Sequence, residues 1–470
     1  MKPVIVLVGR PNVGKSTLFN RLMRTRDALV VDEPGITRDR QYGVGNTHNK
    51  SFIVVDTAGV AEIEGIHTVA DSTINRNLTE IASAQTMQAI AEANVVLFMV
   101  DGRQGVHPFD REIAGLLRTV SAETRVVVNK AEGMDHNIVI SDFHDFGLGE
   151  PVAISATHGD GVGDLIEEIL EQFPDASEDN AENDEEAPCI AVIGRPNVGK
   201  STLVNAIVGE QRVVVYDQPG TTRDSIRVPF ERKDRSYLLI DTAGVRRRKK
   251  ISETIEKFSI IKTLQAIEES NVVLLVLDAS EGITDQDVTL AGHVLEAGRA
   301  IVLVINKWDL ADKEQRELVQ KEIDRKLFFL VFASQHFISA KKGKGINGLF
   351  RSIDEAFEAA FVQLGTSQLN RALANAVEKT PPPVAKGRRI RLKFAHQGGK
   401  NPPTIVIHGN QVRSVPKHYQ RYLVNTFRKV FCLQGTPLRL SFSQGDNPYA
   451  GRARVSKSGT RRKSKNHRRK

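Results

Sequence analysis

The segment GRPNVGKSTL occurs twice, at residues 9–18 and 194–203, 185 positions apart. At the same spacing lie PGITRD (34–39) with PGTTRD (219–224), and DTAGV (56–60) with DTAGV (241–245). The register then slips. NVVLFMVD (94–101) and NVVLLVLD (271–278) are 177 apart, as are NKAE (129–132) and NKWD (306–309), while SAT (155–157) and SAK (339–341) are 184 apart. Intact motifs separated by slips place the insertions in loops of two tandem domains of one fold. A period this long marks a duplicated domain and not a solenoid unit.

Within each copy, short Val/Ile/Leu runs alternate with helical stretches. Val4–Val8, Phe52–Val55, Val95–Val100 and Val126–Val128 read as buried strands, and Ser16–Met23 and Thr86–Ala93 as helices. That alternation predicts an α/β fold, a mostly parallel sheet with helices on both faces, built twice. The predicted bounds are 1–173 for the first domain and 189–362 for the second. Between them, residues 174–188 hold seven acids and almost no apolar side chain. This segment reads as a flexible, self-repelling acidic linker.

After the second copy the pattern changes to a small α+β module over 363–450. Thr366–Val377 and Lys417–Phe431 read as helices, the second with Tyr419, Tyr422, Leu423, Phe427, Val430 and Phe431 on its apolar side. Arg388–Ala395 alternates Ile390, Leu392 and Phe394 with basic residues and reads as a strand with one solvated basic face. Thr404–Ile407 and Leu438–Phe442 are further strands.

Charge separates this end from the rest. Residues 384–470 hold 22 Lys or Arg against one acid, Asp446, in a chain of net charge +8, so residues 1–383 are net acidic. The last twenty residues, 451–470, carry ten Lys or Arg and no acid. This tail has little to bury and is expected to be disordered. A ten-charge block beside a basic domain suits nucleic acid better than an anionic membrane, since no amphipathic helix or lipidation signal accompanies it. The longest apolar run, residues 327–333, is seven residues, far below the ~20 needed to cross a bilayer. With two cysteines, Cys189 and Cys432, no disulfide framework can form. The expectation is a soluble protein of a reducing compartment, the cytoplasm.

GxxxxGK[ST] between a strand and a helix is a phosphate-binding loop. It comprises Gly9, Arg10, Pro11, Asn12, Val13, Gly14, Lys15 and Ser16, and again Gly194, Arg195, Pro196, Asn197, Val198, Gly199, Lys200 and Ser201. The glycines let backbone N–H groups close around the β- and γ-phosphates, and the helix presents its positive end. Lys15 and Lys200 would bridge the β- and γ-phosphate oxygens, and Ser16 and Ser201 would place a hydroxyl on Mg²⁺. Asp56 and Asp241 end hydrophobic strands, where a carboxylate can hold a Mg²⁺-bound water. The following Thr57, Ala58, Gly59 and Val60, and Thr242, Ala243, Gly244 and Val245, bring the N–H of Gly59 and Gly244 near the γ-phosphate. Thr37 and Thr222 sit in polar loops, where each can add a hydroxyl to Mg²⁺. Such a loop becomes an order–disorder switch that senses the terminal phosphate. The catalytic set is thus Lys15, Thr37, Gly59, Lys200, Thr222 and Gly244.

Asn-Lys-x-Asp after a strand reads the base. A carboxylate there accepts from both the ring N–H and the exocyclic amine of guanine, a pair adenine does not offer. Asn306, Lys307, Trp308 and Asp309 fit in full. The first copy has Asn129, Lys130, Ala131 and Glu132, whose extra methylene moves the carboxylate. Ser155 with Ala156, and Ser339 with Ala340, fit the loop whose backbone N–H meets the guanine oxygen.

These five motifs, in this order, resemble the TRAFAC (translation-factor-type) GTPases. The doubled arrangement with a basic C-terminal domain is similar to their bacterial ribosome-assembly branch, the Der (EngA) family, from Met1 to about Tyr449. The resemblance implies a KH-like C-terminal module, hydrolysis of GTP to GDP with Mg²⁺, and binding to the maturing large ribosomal subunit and its rRNA. It also implies a cytoplasmic monomer with no DNA partner and no stable membrane association. Residues 384–450 contain no GxxG loop, the RNA clamp of ordinary KH domains. Val60 and Val245 stand where many GTPases have a water-orienting Gln. In similar enzymes an asparagine at the position of Asn12 and Asn197 helps hold a K⁺ between the β- and γ-phosphates. The second copy's loop carries Arg246, Arg247, Arg248, Lys249 and Lys250, and the first copy's carries Glu62, Glu64 and Asp71. The basic run fits docking on RNA or an acidic neighbour in one nucleotide state. The alternatives are a non-catalytic RNA-binding scaffold with structural nucleotide, and a GTPase recruited to membranes by its tail.

Overall fold

In a computed structural model of the chain, the described residues are 2–23, 42–47, 50–57, 86–87, 89–173, 187–209, 227–233, 235–240, 260–385 and 388–444. Val4–Val8 (β1) is buried at every position, as a Val/Ile/Leu run covered on both faces should be. Tyr42–Asn46 (β2), Ser51–Asp56 (β3), Val95–Asp101 (β4), Glu123–Asn129 (β5) and Val152–Ala153 (β6) complete a six-stranded sheet in the order β2-β3-β1-β4-β5-β6. β2 is antiparallel to β3, and the other pairings are parallel. The second copy repeats it with Cys189–Ile193 (β7), Arg227–Arg232 (β8), Arg235–Ile240 (β9), Val272–Asp278 (β10), Ala300–Asn306 (β11) and Ser334–Phe337 (β12). Its order, β8-β9-β7-β10-β11-β12, is the same arrangement.

The period-2 pleat sends alternate β1 residues to opposite faces. Ile5 and Leu7 pack with Leu165, Ile166 and Ile169 of helix Val162–Glu171. Val4, Val6 and Val8 join Ile113, Ala114 and Leu117 of helix Pro108–Leu117. The helix expected at 86–93 is present at residues 86–87 and 89–92, and residue 88 lies outside the described set. Helices Lys15–Leu22 (α1) and Lys200–Gly209 follow the two phosphate loops directly.

The described chain forms two compact units. The first comprises the described residues of 1–363 with 399–403 and 431–439, and the second those of 364–398, 404–430 and 440–444. In the first, the segment around Gly435 meets the second sheet. Ile301 N donates to Gly435 O at 2.7 Å, Gly435 N donates to Phe332 O at 2.8 Å, and Asn401 N donates to Ala360 O at 2.9 Å.

The second unit sets helices Thr366–Lys379 and Lys417–Val430 against a three-stranded sheet of Arg391–Gly399 (β15), Thr404–Asn410 (β16) and Arg439–Gln444 (β17). Val384–Ala385 (β13) and Arg388–Arg389 (β14) form a separate two-stranded pair. Two sequence expectations are corrected here. The strand read over Arg388–Ala395 is divided: its first residues belong to that pair, and the rest continues to Gly399. Its buried side is set by Ala395, fully buried, while Phe394 is 42% exposed. The Asn370 side chain pairs with the buried residue, accepting from Ala395 N at 2.9 Å and donating to Ala395 O at 3.0 Å. Phe394 lies on the other face, its ring centroid 4.6 Å from that of His408. On the long helix, Tyr419, Leu423 and Phe427 are buried, but Val430 at its last turn is 55% exposed. No helix among the described residues is long and apolar enough to cross a membrane.

Candidate nucleotide sites

Each site is assembled at the carboxyl ends of parallel strands, where open α/β sheets hold ligands. Gly9 follows β1 at φ 154°, and a Cβ there would sit 2.3 Å from the carbonyl oxygen of Met99 on β4. Gly194 repeats this against Val276 O at 2.4 Å. No side chain fits where two backbones come so close, so glycine is required at both positions. Gly14 (φ 103°) and Gly199 (φ 96°) cap the following helices, and a Cβ on either would meet the amide nitrogen of Asn129 or Asn306 at 2.2 and 2.3 Å. Asn12 and Asn197, both exposed, take the same left-handed backbone at φ 62°. Val13 and Val198 anchor the loops in the core.

Lys15 is buried, and its Nζ donates to Gly9 O at 2.9 Å and Arg10 O at 2.8 Å. Burial holds its pKa below the usual lysine range, against the opposing charge of Asp56. Lys200 Nζ donates to Arg195 O at 2.7 Å. At the end of β3, Asp56 Oδ2 accepts from Ser16 Oγ at 2.7 Å, while its buried Oδ1 has no hydrogen-bond partner among the described residues. Burial raises the Asp56 pKa, opposed by the Ser16 hydroxyl and Lys15. A hydroxyl beside a carboxylate with a spare buried oxygen is a donor set that suits a hard divalent cation such as Mg²⁺. Thr57 is tied down by its hydroxyl to Leu7 O at 2.7 Å. Ser201 is exposed at the start of its helix. Thr37, Ala58, Gly59, Val60, Thr222, Asp241, Thr242, Ala243, Gly244 and Val245 lie outside the described residues, as do the runs holding Glu62, Glu64, Asp71 and Arg246–Lys250.

The base-reading and phosphate-binding loops are stitched together by one side chain per copy. Asn129 Nδ2 donates to Val13 O at 2.8 Å, and its Oδ1 accepts from Ala156 N at 2.9 Å. Asn306 makes the same pair to Val198 O (2.9 Å) and Ala340 N (3.0 Å). Both asparagines are therefore joints between loops. Lys130 (φ 65°) and Lys307 (φ 58°) turn the chain sharply, and their Nζ atoms pair with Asp101 at 2.6 Å and Asp278 at 2.5 Å. Ser155 and Ser339 are buried, and each hydroxyl accepts a backbone N–H three residues on, from His158 (3.2 Å) and Lys342 (3.4 Å). Ala131 is buried, and Trp308 packs on Phe337 with ring centroids 4.4 Å apart. Glu132 pairs with Arg103 at 2.7 Å, and Asp309 with Lys342 at 2.9 Å.

Three functional features were missed in the sequence. Arg10 and Arg195, read as nucleotide contacts, send their guanidinium groups to fully buried carboxylates. Arg10 binds Asp110 with two bonds, at 2.7 and 3.1 Å, and Arg195 binds Asp287 from its Nε at 3.0 Å to both oxygens. Asp110 and Asp287 also close capping boxes with His107 and Thr284, so each clamps a phosphate loop to a helix start. Asp101 and Asp278 ended the two repeated strand segments, which was the available signal for their pairing with lysine. Arg103 and Lys342 left none.

The sequence profile described as "50S ribosome-binding GTPase" matches residues 4–130 and 189–307. The one described as "KH-domain-like of EngA bacterial GTPase enzymes, C-terminal" matches 363–443. The chain is 56% identical to GTPase Der of Nitrosospira multiformis over 96% of its own length and 95% of that protein's. It is also 56% identical to GTPase Der of Chromobacterium violaceum over 96% and 93%. To GTPase Der of Thiobacillus denitrificans it is 55% identical over 97% and 95%.

Proposed function

This chain belongs to the GTPase Der family and hydrolyses GTP to GDP and phosphate, and on that premise we propose that its two sites time its binding to, and release from, the large ribosomal subunit during assembly. The observation that carries the reading is the doubled joint. Asn129 and Asn306 each tie a phosphate loop to a base-reading loop at matching distances, so the chain is equipped to sense guanine nucleotide twice.

In this reading Lys15 and Lys200 exchange carbonyl partners for β- and γ-phosphate oxygens, and the loop N–H groups take the remaining phosphate acceptors. Glu132 and Asp309 accept from guanine, and the N–H groups of Ala156 and Ala340 lie beside its oxygen. Ser16 and Asp56, with Thr37, would hold Mg²⁺ in the first site, and Ser201, Thr222 and Asp241 would hold it in the second. The ion would neutralise charge on the phosphates. Gly59 and Gly244 would offer an N–H to the γ-phosphate, and Asn12 and Asn197 would help hold K⁺, which would neutralise phosphate charge. Positioning and charge neutralisation account for most of the rate in phosphoryl transfer, so no acidic or basic side chain need move a proton.

The nucleotide-sensing loops would then govern how the basic KH-like module, the tail at 451–470 and the run Arg246–Lys250 grip rRNA. Co-sedimentation with large subunits tests this, run in GDP, GTP and a non-hydrolysable analogue at several salt concentrations. Binding should be strongest with the analogue and fall steeply with salt. Equal sedimentation in all three nucleotides would overturn the timing role.

A further inference from the structure

The two sites hold their base-reading carboxylates with cations from different loops. In both copies the turn after the fourth sheet strand is built on an aspartate that accepts the backbone N–H two residues on. Asp101 Oδ1 accepts from Arg103 N at 2.9 Å, and Asp278 Oδ1 accepts from Ser280 N at 2.9 Å. Arg103 and Ser280 therefore occupy the same place. Ser280 spends its hydroxyl on Asp278 at 2.6 Å, whereas Arg103 extends its guanidinium to Glu132 Oε1 at 2.7 Å. The other loop shows the reverse. Three residues after the buried serine stands Lys342 in the second copy, paired with Asp309 at 2.9 Å, and His158 in the first. Thus the copy with the longer carboxylate draws its cation from one side, and the copy with the shorter carboxylate from the other.

We propose that Arg103 is a specificity-determining positioning residue of the first site, which holds the longer Glu132 side chain in the orientation that reads guanine. The inference rests on the nucleotide reading above. A glutamate has one more rotatable bond than an aspartate, and that freedom must be restricted before the carboxylate can face two guanine N–H groups at once. Arg103 engages Oε1, which leaves one carboxylate oxygen outside this ion pair. The planar guanidinium fixes the carboxylate plane in a way a point charge does not. Exposed ion pairs add little to folding stability, and Arg103 is 58% exposed, so positioning is the work this pair is suited to do. The Glu132 carboxyl lies below its ordinary pKa, held there by its own backbone N–H first, with Ser155, Arg103 and His158 adding to it against desolvation. The base reader is therefore ionised at neutral pH.

A double-mutant cycle in the full chain separates positioning from general damage. Lys200→Ala silences the second site, and fluorescent GDP and its xanthine counterpart report on the first. Arg103→Ala should weaken GDP about tenfold and narrow the preference for guanine over xanthine, and Arg103→Lys should restore only part of the loss. In a Glu132→Asp background the shorter carboxylate is out of Arg103's reach, so the same Arg103→Ala change should cost less than about twofold. An equal loss in both backgrounds, or no loss in either, overturns the proposal; a misfolded variant would show the former. A parent chain that binds no guanine nucleotide at its first site would sink the nucleotide reading and the inference together.

Discussion

At the scale of single residues, the sites depend on a few side chains whose work is to join loops. Removing Asn129 leaves Val13 O and Ala156 N without their partner in the core. Asn129→Ala should cost about 1–3 kcal/mol of stability and abolish first-site GDP binding while sparing the second site, as nucleotide titration would reveal. Asn12 and Asn197 hold the same strained φ of 62° in the two loops, which fits a position fixed for a purpose. If they serve K⁺, GTP turnover in K⁺ should far exceed turnover in Na⁺, and Asn→Ala at both positions should erase the difference. Equal rates in the two salts for the unaltered chain would remove that role.

At the scale of elements, the Arg10–Asp110 clamp joins the phosphate loop to helix Pro108–Leu117. Asp110 is fully buried and closes that helix's capping box, so Asp110→Ala strands a guanidinium and a helix start together. The expected loss is about 3 kcal/mol in chemical denaturation, with weakened nucleotide binding. In the second domain, His336 bonds Ser352 Oγ at 2.8 Å, and burial lowers its pKa against the opposing charge of Glu355. The unfolded chain then takes up a proton that the folded one refuses. Stability should be full above pH ~6.5 and fall as pH drops through that value toward the lower folded one. Melting at pH 7.5 and 5.5 checks this, and His336→Gln should flatten the difference.

The strands were legible because a run such as Val95–Val100, apolar at every position, can only be buried on both faces. Helix starts and glycine positions followed from the repeated motif. The face of β15 was not legible. Its apolar alternation pointed to Phe394, whereas Ala395 is the buried residue, its backbone bonded to Asn370, 25 residues away. The partner of the Arg10 side chain was not legible for a similar reason: it lies 100 residues on, and no spacing within the motif announces it. Residues held by local geometry could be read from the chain, and those held by distant partners could not.

At the scale of the whole molecule, the duplication preserves the scaffold and lets the details drift. Both copies keep the aspartate–lysine pair, the asparagine joint and the arginine clamp, yet they pair the carboxylates of Glu132 and Asp309 with cations from different loops. Both compact units are also discontinuous. Residues 399–403 and 431–439 belong with 1–363, through the bonds of Gly435 to Ile301 and Phe332 and of Asn401 to Ala360. A Cβ on Gly435 would press within 2.5 Å of Ala356, so the fit there is close. A chain stopped at 363 should therefore melt below the full-length protein and self-associate, by scanning calorimetry and light scattering. Severing at that point would be an amputation and not a dissection: the stump would bear raw edges that its own missing strap was made to cover, and any sluggishness it displayed would belong to the wound.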